Sequence, residues 1–323
     1  MLVQIKGSEK IQADAVFFQP TRYCGMNCKG CYVKAHTETL QMPCTEQTSL
    51  LGRLCRDHDI GQITMSVDTL PGVNTPGALP RRAHLGALFQ EFLYLANILP
   101  SRPELHITVH SAGVLRDYIE TLKIDDTELE RLDFISLSHP PTMRRHGFRN
   151  LTKRLENTQF GWNVKIPSKM DKNSILTGLR WIDEAQAYLD QIYLMLTKSP
   201  VGAKRTLQTA EIDKQQMRTD LHFIEQVYEM AERNGYRHKL LVDGCLRDVV
   251  KFKDTGYGCS ANISKFQIWP DGSVSGCPYK YKAVTPHAGT WEEVLINIRK
   301  AQYYYDFQEC HLPEIYADVT RIL

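Results

Sequence analysis

Cys24, Cys28 and Cys31 stand in the run Cys24-Gly25-Met26-Asn27-Cys28-Lys29-Gly30-Cys31, a C-x3-C-x2-C spacing that gathers three thiolates in one short loop. A [4Fe–4S] cube has four irons and is normally held by cysteine thiolates. Three cysteines therefore leave one iron open for a small molecule to chelate. Zinc is the competing ligand for such a loop, but it prefers four tetrahedral ligands, usually from paired C-x2-C or Cys/His motifs. The next histidine in the chain is His36. Three unconnected thiols are the remaining reading.

A second set of cysteines lies late in the chain. Cys245 follows Asp243-Gly244, and Cys259 follows Gly258. Cys277 closes the run Ile268-Trp269-Pro270-Asp271-Gly272-Ser273-Val274-Ser275-Gly276-Cys277. Pro-Asp-Gly between β-favouring stretches predicts a hairpin turn. A hairpin would bring Cys259, just before its first strand, close to Cys277, just after its second. Cys44 and Cys55 fall in or beside a predicted helix and read as structural side chains.

These loops need elements to position them. Apolar or β-branched stretches occur at 16–19, 63–67, 105–109, 134–137, 164–166 and 192–196. Helical patterns separate them at 45–57, 85–99, 112–131, 146–157, 174–189 and 210–234, the last stopping at Asn234-Gly235. Six strand–helix alternations argue for a parallel α/β fold, with strands read as nearly continuous apolar runs. Six units are fewer than the eight of a closed barrel. From about residue 241 the alternation stops, so a domain at 1–240 and a smaller extension at 241–323 are expected.

In β/α folds ligands bind at the carboxyl ends of the strands. The predicted strand ends carry Gln19 and Thr21, Ser66 and Asp68, His110 and Ser111, Ser138 and His139, Lys165, and Lys198.

The chain has 323 residues, enough for a full-sized core, and a composition that is 42% apolar and 24% charged, typical of globular proteins. No run of about 18 apolar residues predicts a membrane span, and the first residues lack a signal-peptide core. The net charge of +2 gives no argument for nucleic acid, though it does not exclude it. Nine cysteines without an export signal point to a cytoplasmic protein whose thiols stay reduced.

The apolar Ala15-Val16-Phe17-Phe18 stretch, the C-x3-C-x2-C loop and the following helix together resemble the radical S-adenosylmethionine (SAM) superfamily. The resemblance implies a partial (β/α)6 barrel, a SAM-binding [4Fe–4S] cluster on Cys24, Cys28 and Cys31, and SAM as cofactor. Two departures stand out. The aromatic residue often found before the third cysteine is replaced by Gly30, with Tyr32 just after Cys31. The family's Gly-Gly-Glu motif is replaced by Thr64-Met65-Ser66-Val67-Asp68-Thr69. The resemblance then makes Tyr32 the candidate adenine contact, Ser66 and Asp68 the candidate contacts for the SAM amino group, since their oxygens can accept from an ammonium, and Ser138 the match to the family's SAM-contacting serine. His110, His139 and Lys165 are the candidate acid–base residues.

The late segment resembles the auxiliary-cluster extension called SPASM, or its shorter form, twitch. The family pattern C-x(9–15)-G-x4-C is matched by Cys259-x12-Gly272-x4-Cys277. The later dense cysteine portion is absent, so one auxiliary [4Fe–4S] cluster is implied, with Cys245 and Cys310 as its third and fourth ligands. An enzyme of this kind needs an electron donor such as a flavodoxin or ferredoxin. Its substrate would be a small molecule, a nucleotide-linked compound or a peptide. Only about 15 residues precede the first predicted strand, fewer than the leader-binding domain that peptide maturases of the family often carry, which tilts the expectation toward a small molecule, a nucleotide-linked compound or a partner-delivered peptide. The basic stretch Arg144–Arg154 could serve phosphate recognition or be a solvated face. The alternative function is a non-catalytic iron–sulfur or zinc-binding sensor or structural protein.

Overall fold

The structure is a computed structural model, which describes residues 10–21, 41–67, 78–99, 102–138, 152–153, 155–165, 172–195, 214–242, 264–276 and 285–303. Strand and helix alternate along most of the described chain; the helix expected at 146–157 lies largely outside the described residues. β1 (Gln12–Phe18), α1 (Cys44–Asp57), β2 (Asp59–Val67), α2 (Ala78–Ile98), β3 (Glu104–Val109), α3 (Ala112–Leu122), α4 (Asp126–Leu129) and β4 (Phe134–Leu137) come first. β5 (Gln159–Lys165), α5 (Lys172–Ala185), β6 (Gln191–Met195), α6 (Lys214–Arg233) and β7 (Leu240–Val242) follow, and β8 (Lys265–Ile268), β9 (Val274–Ser275) and α7 (Trp291–Tyr303) close the order.

Local chemistry sets the boundaries. Ser111 caps α3 by accepting from the Val114 N–H, and Lys123 ends it in the left-handed region at φ 55°. Asp125 and Glu128 form a reciprocal capping box on α4. α6 ends where Gly235 adopts φ 75°, and the Tyr236 N–H returns 2.9 Å to the Ala231 carbonyl, a Schellman stop.

Two compact units divide the chain. The first comprises Met1–Ile135, Pro200–Gly202 and Ser260–Tyr305. Within it β2 lies parallel between β1 and β3, β8 lies parallel on the other side of β1, and β9 pairs antiparallel with β8. Neighbouring residues in register share a face. One face carries Val16, Phe18, Ile63, Met65, Leu105, Ile107, Val109, Phe266 and Ile268, all buried, with α1 against β2 and α3 against β3. The other carries Phe17, Gln62, Thr64, Ser66, His106, Thr108 and Gln267.

The second unit comprises Ser136–Ser199, Ala203–Cys259 and Asp306–Leu323. β6 lies parallel between β5 and β7. Trp162, Val164, Ile192, Leu194, Leu240 and Val242 form its apolar face. Asn163 and Tyr193 lie side by side on the opposite one.

The strands are thus less uniformly apolar than the sequence reading expected. A run such as Glu104-Leu105-His106-Ile107-Thr108-Val109 alternates, because helices bury one face and the other is left polar. β2 also begins four residues earlier than its apolar run, at Asp59. Here the parallel ladder with β1 extends the strand through Gly61 and Gln62, residues of low apolar content.

The hairpin between β8 and β9 forms where Pro-Asp-Gly predicts it. The Gly272 N–H bonds the Trp269 carbonyl at 2.9 Å, and Gly272 takes φ 73°. A Cβ at Gly272 would sit 2.4 Å from the Ala288 carbonyl oxygen, so glycine is required on conformation and on space.

Candidate functional site

The amino ends of the strands are closed by one repeated device. In the first unit the Asp133 carboxylate accepts from the Leu105 N–H at 2.7 Å, and the Asp133 N–H bonds the Leu105 carbonyl at 3.0 Å. Arg102 adds its guanidinium to the same carboxylate and bonds the Arg131 carbonyl at 2.8 Å. In the second unit Asp190 treats Phe160 the same way, at 2.7 and 2.8 Å. At β1 and β2 the acceptor is His58 Nδ1, 3.3 Å from the Ile11 N–H, while the Asp59 N–H bonds the Ile11 carbonyl at 2.9 Å.

The carboxyl ends differ. Beyond β1 come Gln19, Pro20 and Thr21, all buried, just before Cys24 in sequence. Gln19 Nε2 donates to the Thr21 carbonyl at 3.3 Å, and its backbone N–H bonds the Ile268 carbonyl at 3.0 Å. Ser66, half-buried, lies near the end of β2 on the polar face, beside Thr108 of β3. His110 follows β3, half-buried. Ser111, the other polar residue expected there, is occupied as the α3 cap. In the second unit Ser138 follows β4, half-buried, and Ser136 Oγ accepts from Asn163 Nδ2 at 3.4 Å.

The remaining candidates lie outside the described residues. They are Cys24, Cys28, Cys31, Tyr32, Asp68, His139, Lys198, Cys245, Cys259, Cys277 and Cys310; at Lys165 only the backbone is described. Among the described residues no group of three or more His, Cys, Asp or Glu is placed to hold a metal ion. Cys44 and Cys55 are free thiols. Cys55 is buried in α1, and burial pushes its thiol up to about 12. Cys44 Sγ reaches the His84 carbonyl at 3.8 Å, and burial raises its pKa.

Several polar residues escaped the sequence reading. Thr64, His106, Thr108, Gln267 and, on the second unit, Asn163 and Tyr193 occupy the polar sheet faces. His106 Nε2 lies 3.1 Å from Glu104 Oε2, and burial lowers its pKa despite that carboxylate. Their signal was the period-two alternation within each strand. Phe17 is the aromatic residue of this face, half-buried between Thr64 and Gln267.

The donor set of the early loop suits an iron–sulfur cluster. In sequence the three cysteines follow the carboxyl end of β1, the end at which parallel sheets bind ligands, and hydroxyl and amide side chains lie on the neighbouring strands.

No protein-family model matches the chain, and no curated protein matches it in sequence. Solved structures do. Streptococcus suis SuiB, in complex with its precursor peptide SuiA, superposes with a TM-score of 0.61 at 13% identity, over 94% of this chain and 71% of SuiB. anSMEcpe, with bound AdoMet and the Cp18Cys peptide, superposes with a TM-score of 0.52 at 10% identity, over 95% of this chain and 83% of its own. What this chain shares with them is the fold, a mostly parallel α/β partial barrel. Among the described residues no helix is long and apolar enough to cross a membrane.

Proposed function

We propose that this protein is a radical SAM enzyme that abstracts hydrogen from a peptide substrate. The observation that carries the reading is the C-x3-C-x2-C run placed immediately beyond β1 of a partial-barrel fold. Cys24, Cys28 and Cys31 would hold a [4Fe–4S] cluster with one iron free for SAM. Bound there, the cluster and SAM would supply hydrogen-abstracting radical chemistry once an electron donor reduces the cluster.

The chain's own residues bind, orient and exclude water. Ser66, with Asp68 and Tyr32, is assigned to SAM contacts at the β2 and β1 ends, and Ser138 to a contact at the β4 end. His110, His139 and Lys165 are the candidates for proton transfer. Buried Gln19 and Thr21 fix the backbone from which the cysteine run departs. The peptide class is favoured over the small-molecule classes because both structural neighbours hold peptides.

Residues 241–323 are proposed as a twitch-like extension in which Cys245, Cys259, Cys277 and Cys310 hold one auxiliary [4Fe–4S] cluster. Its role is electron transfer or substrate binding, with a flavodoxin or ferredoxin supplying the reducing electron. The observed hairpin ahead of Cys277 supports that placement.

The test is anaerobic reconstitution followed by dithionite, SAM and deuterated peptide extracts. Deuterium in 5′-deoxyadenosine, lost in Cys28→Ala, supports the reading. Iron uptake with no SAM cleavage moves the chain to the non-catalytic iron–sulfur alternative.

A further inference from the structure

The two backbone stretches that flank the early cysteine run are joined by a single side chain. Gln47, in α1 and 0% exposed, donates from Nε2 to the Pro20 carbonyl at 3.2 Å and to the Met42 carbonyl at 3.4 Å. Pro20 precedes the run and Met42 follows it. An amide nitrogen has two hydrogens, so both acceptors can be satisfied at once. The amide oxygen is also engaged, with His84 Nε2 of α2 at 3.1 Å. Gln41 Nε2 lies 3.0 Å from the same imidazole nitrogen. Burial lowers the His84 pKa, and the neutral tautomer with its proton on Nε2 is the one that can donate to the Gln47 oxygen.

The hairpin supplies a second, independent tie. The Gln19 N–H bonds the Ile268 carbonyl at 3.0 Å, and the Met42 N–H bonds the Pro270 carbonyl at 2.8 Å. A Cβ on Gly272 would lie 2.9 Å from Met42 Sδ, so the turn is seated against the same residue. Both flanks of the run are therefore held from the helix side by Gln47 and from the strand side by the β8–β9 turn.

A structural role alone needs one hydrogen bond per buried carbonyl, from any donor. Here one buried amide bridges both flanks, and its orientation is fixed by a histidine from a different helix. We infer that Gln47, oriented by His84, is a positioning residue for the early cysteine run: it sets the separation of Pro20 and Met42, between which Cys24, Cys28 and Cys31 lie in sequence. This inference rests on the proposed radical SAM reading. Residues that orient metal ligands without touching the metal typically change affinity or activity by about 10–100-fold when replaced.

Gln47→Met keeps the side chain's length and removes both donors. Asp133→Ala serves as the control, because it removes comparable hydrogen bonds at the opposite end of the strands. Both variants are reconstituted beside the wild type. Melting temperature, the electron paramagnetic resonance (EPR) spectrum of the reduced cluster on a background of Cys277→Ala, and SAM affinity are then measured.

The expected result is that Gln47→Met shifts the cluster's g-values and weakens SAM binding by about 10–100-fold. Asp133→Ala should lose melting temperature while keeping both properties. His84→Leu should reproduce the spectral shift in weaker form. Equal g-values and SAM affinity in Gln47→Met and the control would overturn the inference and leave Gln47 structural. A wild-type chain that takes up no iron would overturn the functional reading itself, and the inference with it; the two failures are thus told apart by the wild-type sample.

Discussion

The two ends of the strands use polar residues in opposite ways. At the amino ends His58, Asp133 and Asp190 each accept a backbone N–H at the start of a strand, from Ile11, Leu105 and Phe160, within a two-bond clamp. At the carboxyl ends Ser66, His110 and Ser138 stand half-buried, beside or beyond the last ladder residues, with the cysteine run departing beyond Gln19 and Thr21. One end is committed to holding the strands together, and the other keeps hydroxyl and imidazole groups where ligands of parallel sheets bind. Gln47 is the exception on the carboxyl side, since its amide is committed to backbone, and that backbone flanks the cysteines.

Substitutions at the two ends should therefore separate activity from stability. The largest effect is expected at the carboxyl side. Cys28→Ala should abolish SAM cleavage while leaving the far-ultraviolet circular dichroism unchanged, and residual turnover above background would break the contrast. At the amino side, Asp133→Ala should lower unfolding stability by about 2 kcal/mol, the scale of hydrogen bonds to a charged group. A urea titration with an unchanged slope measures it, and per-cluster activity at low temperature should stay at the wild-type level. Asp190→Asn should cost about 1 kcal/mol or less, because the amide oxygen can still accept from the Phe160 N–H.

Acid sensitivity sharpens the same contrast. Burial holds His58, His84 and His106 below the ordinary histidine value of 6.5. Below that value the unfolded chain binds more protons than the folded one, so stability is complete above pH 6.5 and falls as the pH drops through it. His58→Gln should flatten the slope of melting temperature against pH between about 5 and 7. The smallest effect is at Cys55, whose thiol is pushed up to about 12. Iodoacetamide at neutral pH should leave it unmodified until urea unfolds the chain, as mass spectrometry of its peptide would show.

Much of this was legible from residue pattern. The six strands, the glycine stop at Asn234-Gly235 and the Pro-Asp-Gly turn all declare themselves through local chemistry, and the structure has them near their expected positions. The cysteine run is legible through spacing alone. The polar sheet faces were blurred, because short strands such as Phe134-Ile135-Ser136-Leu137 offer too few alternations to separate a one-sided strand from a fully buried one. The clamps were missed because a lone Asp before a strand looks like an ordinary turn residue. Gln47 was invisible for a different reason. Its partners lie at Pro20, Met42 and His84, and a glutamine within a helical pattern carries no mark of where its amide will be bound.

The most direct test of the central claim is EPR of the reduced, reconstituted protein before and after SAM is added, with iron and sulfide counted on the same sample. The account predicts about eight irons for two [4Fe–4S] clusters. One signal should change when SAM binds and disappear in the Cys24→Ala, Cys28→Ala, Cys31→Ala triple variant, while the second persists. Zinc in place of iron, or cluster signals indifferent to SAM, would contradict it.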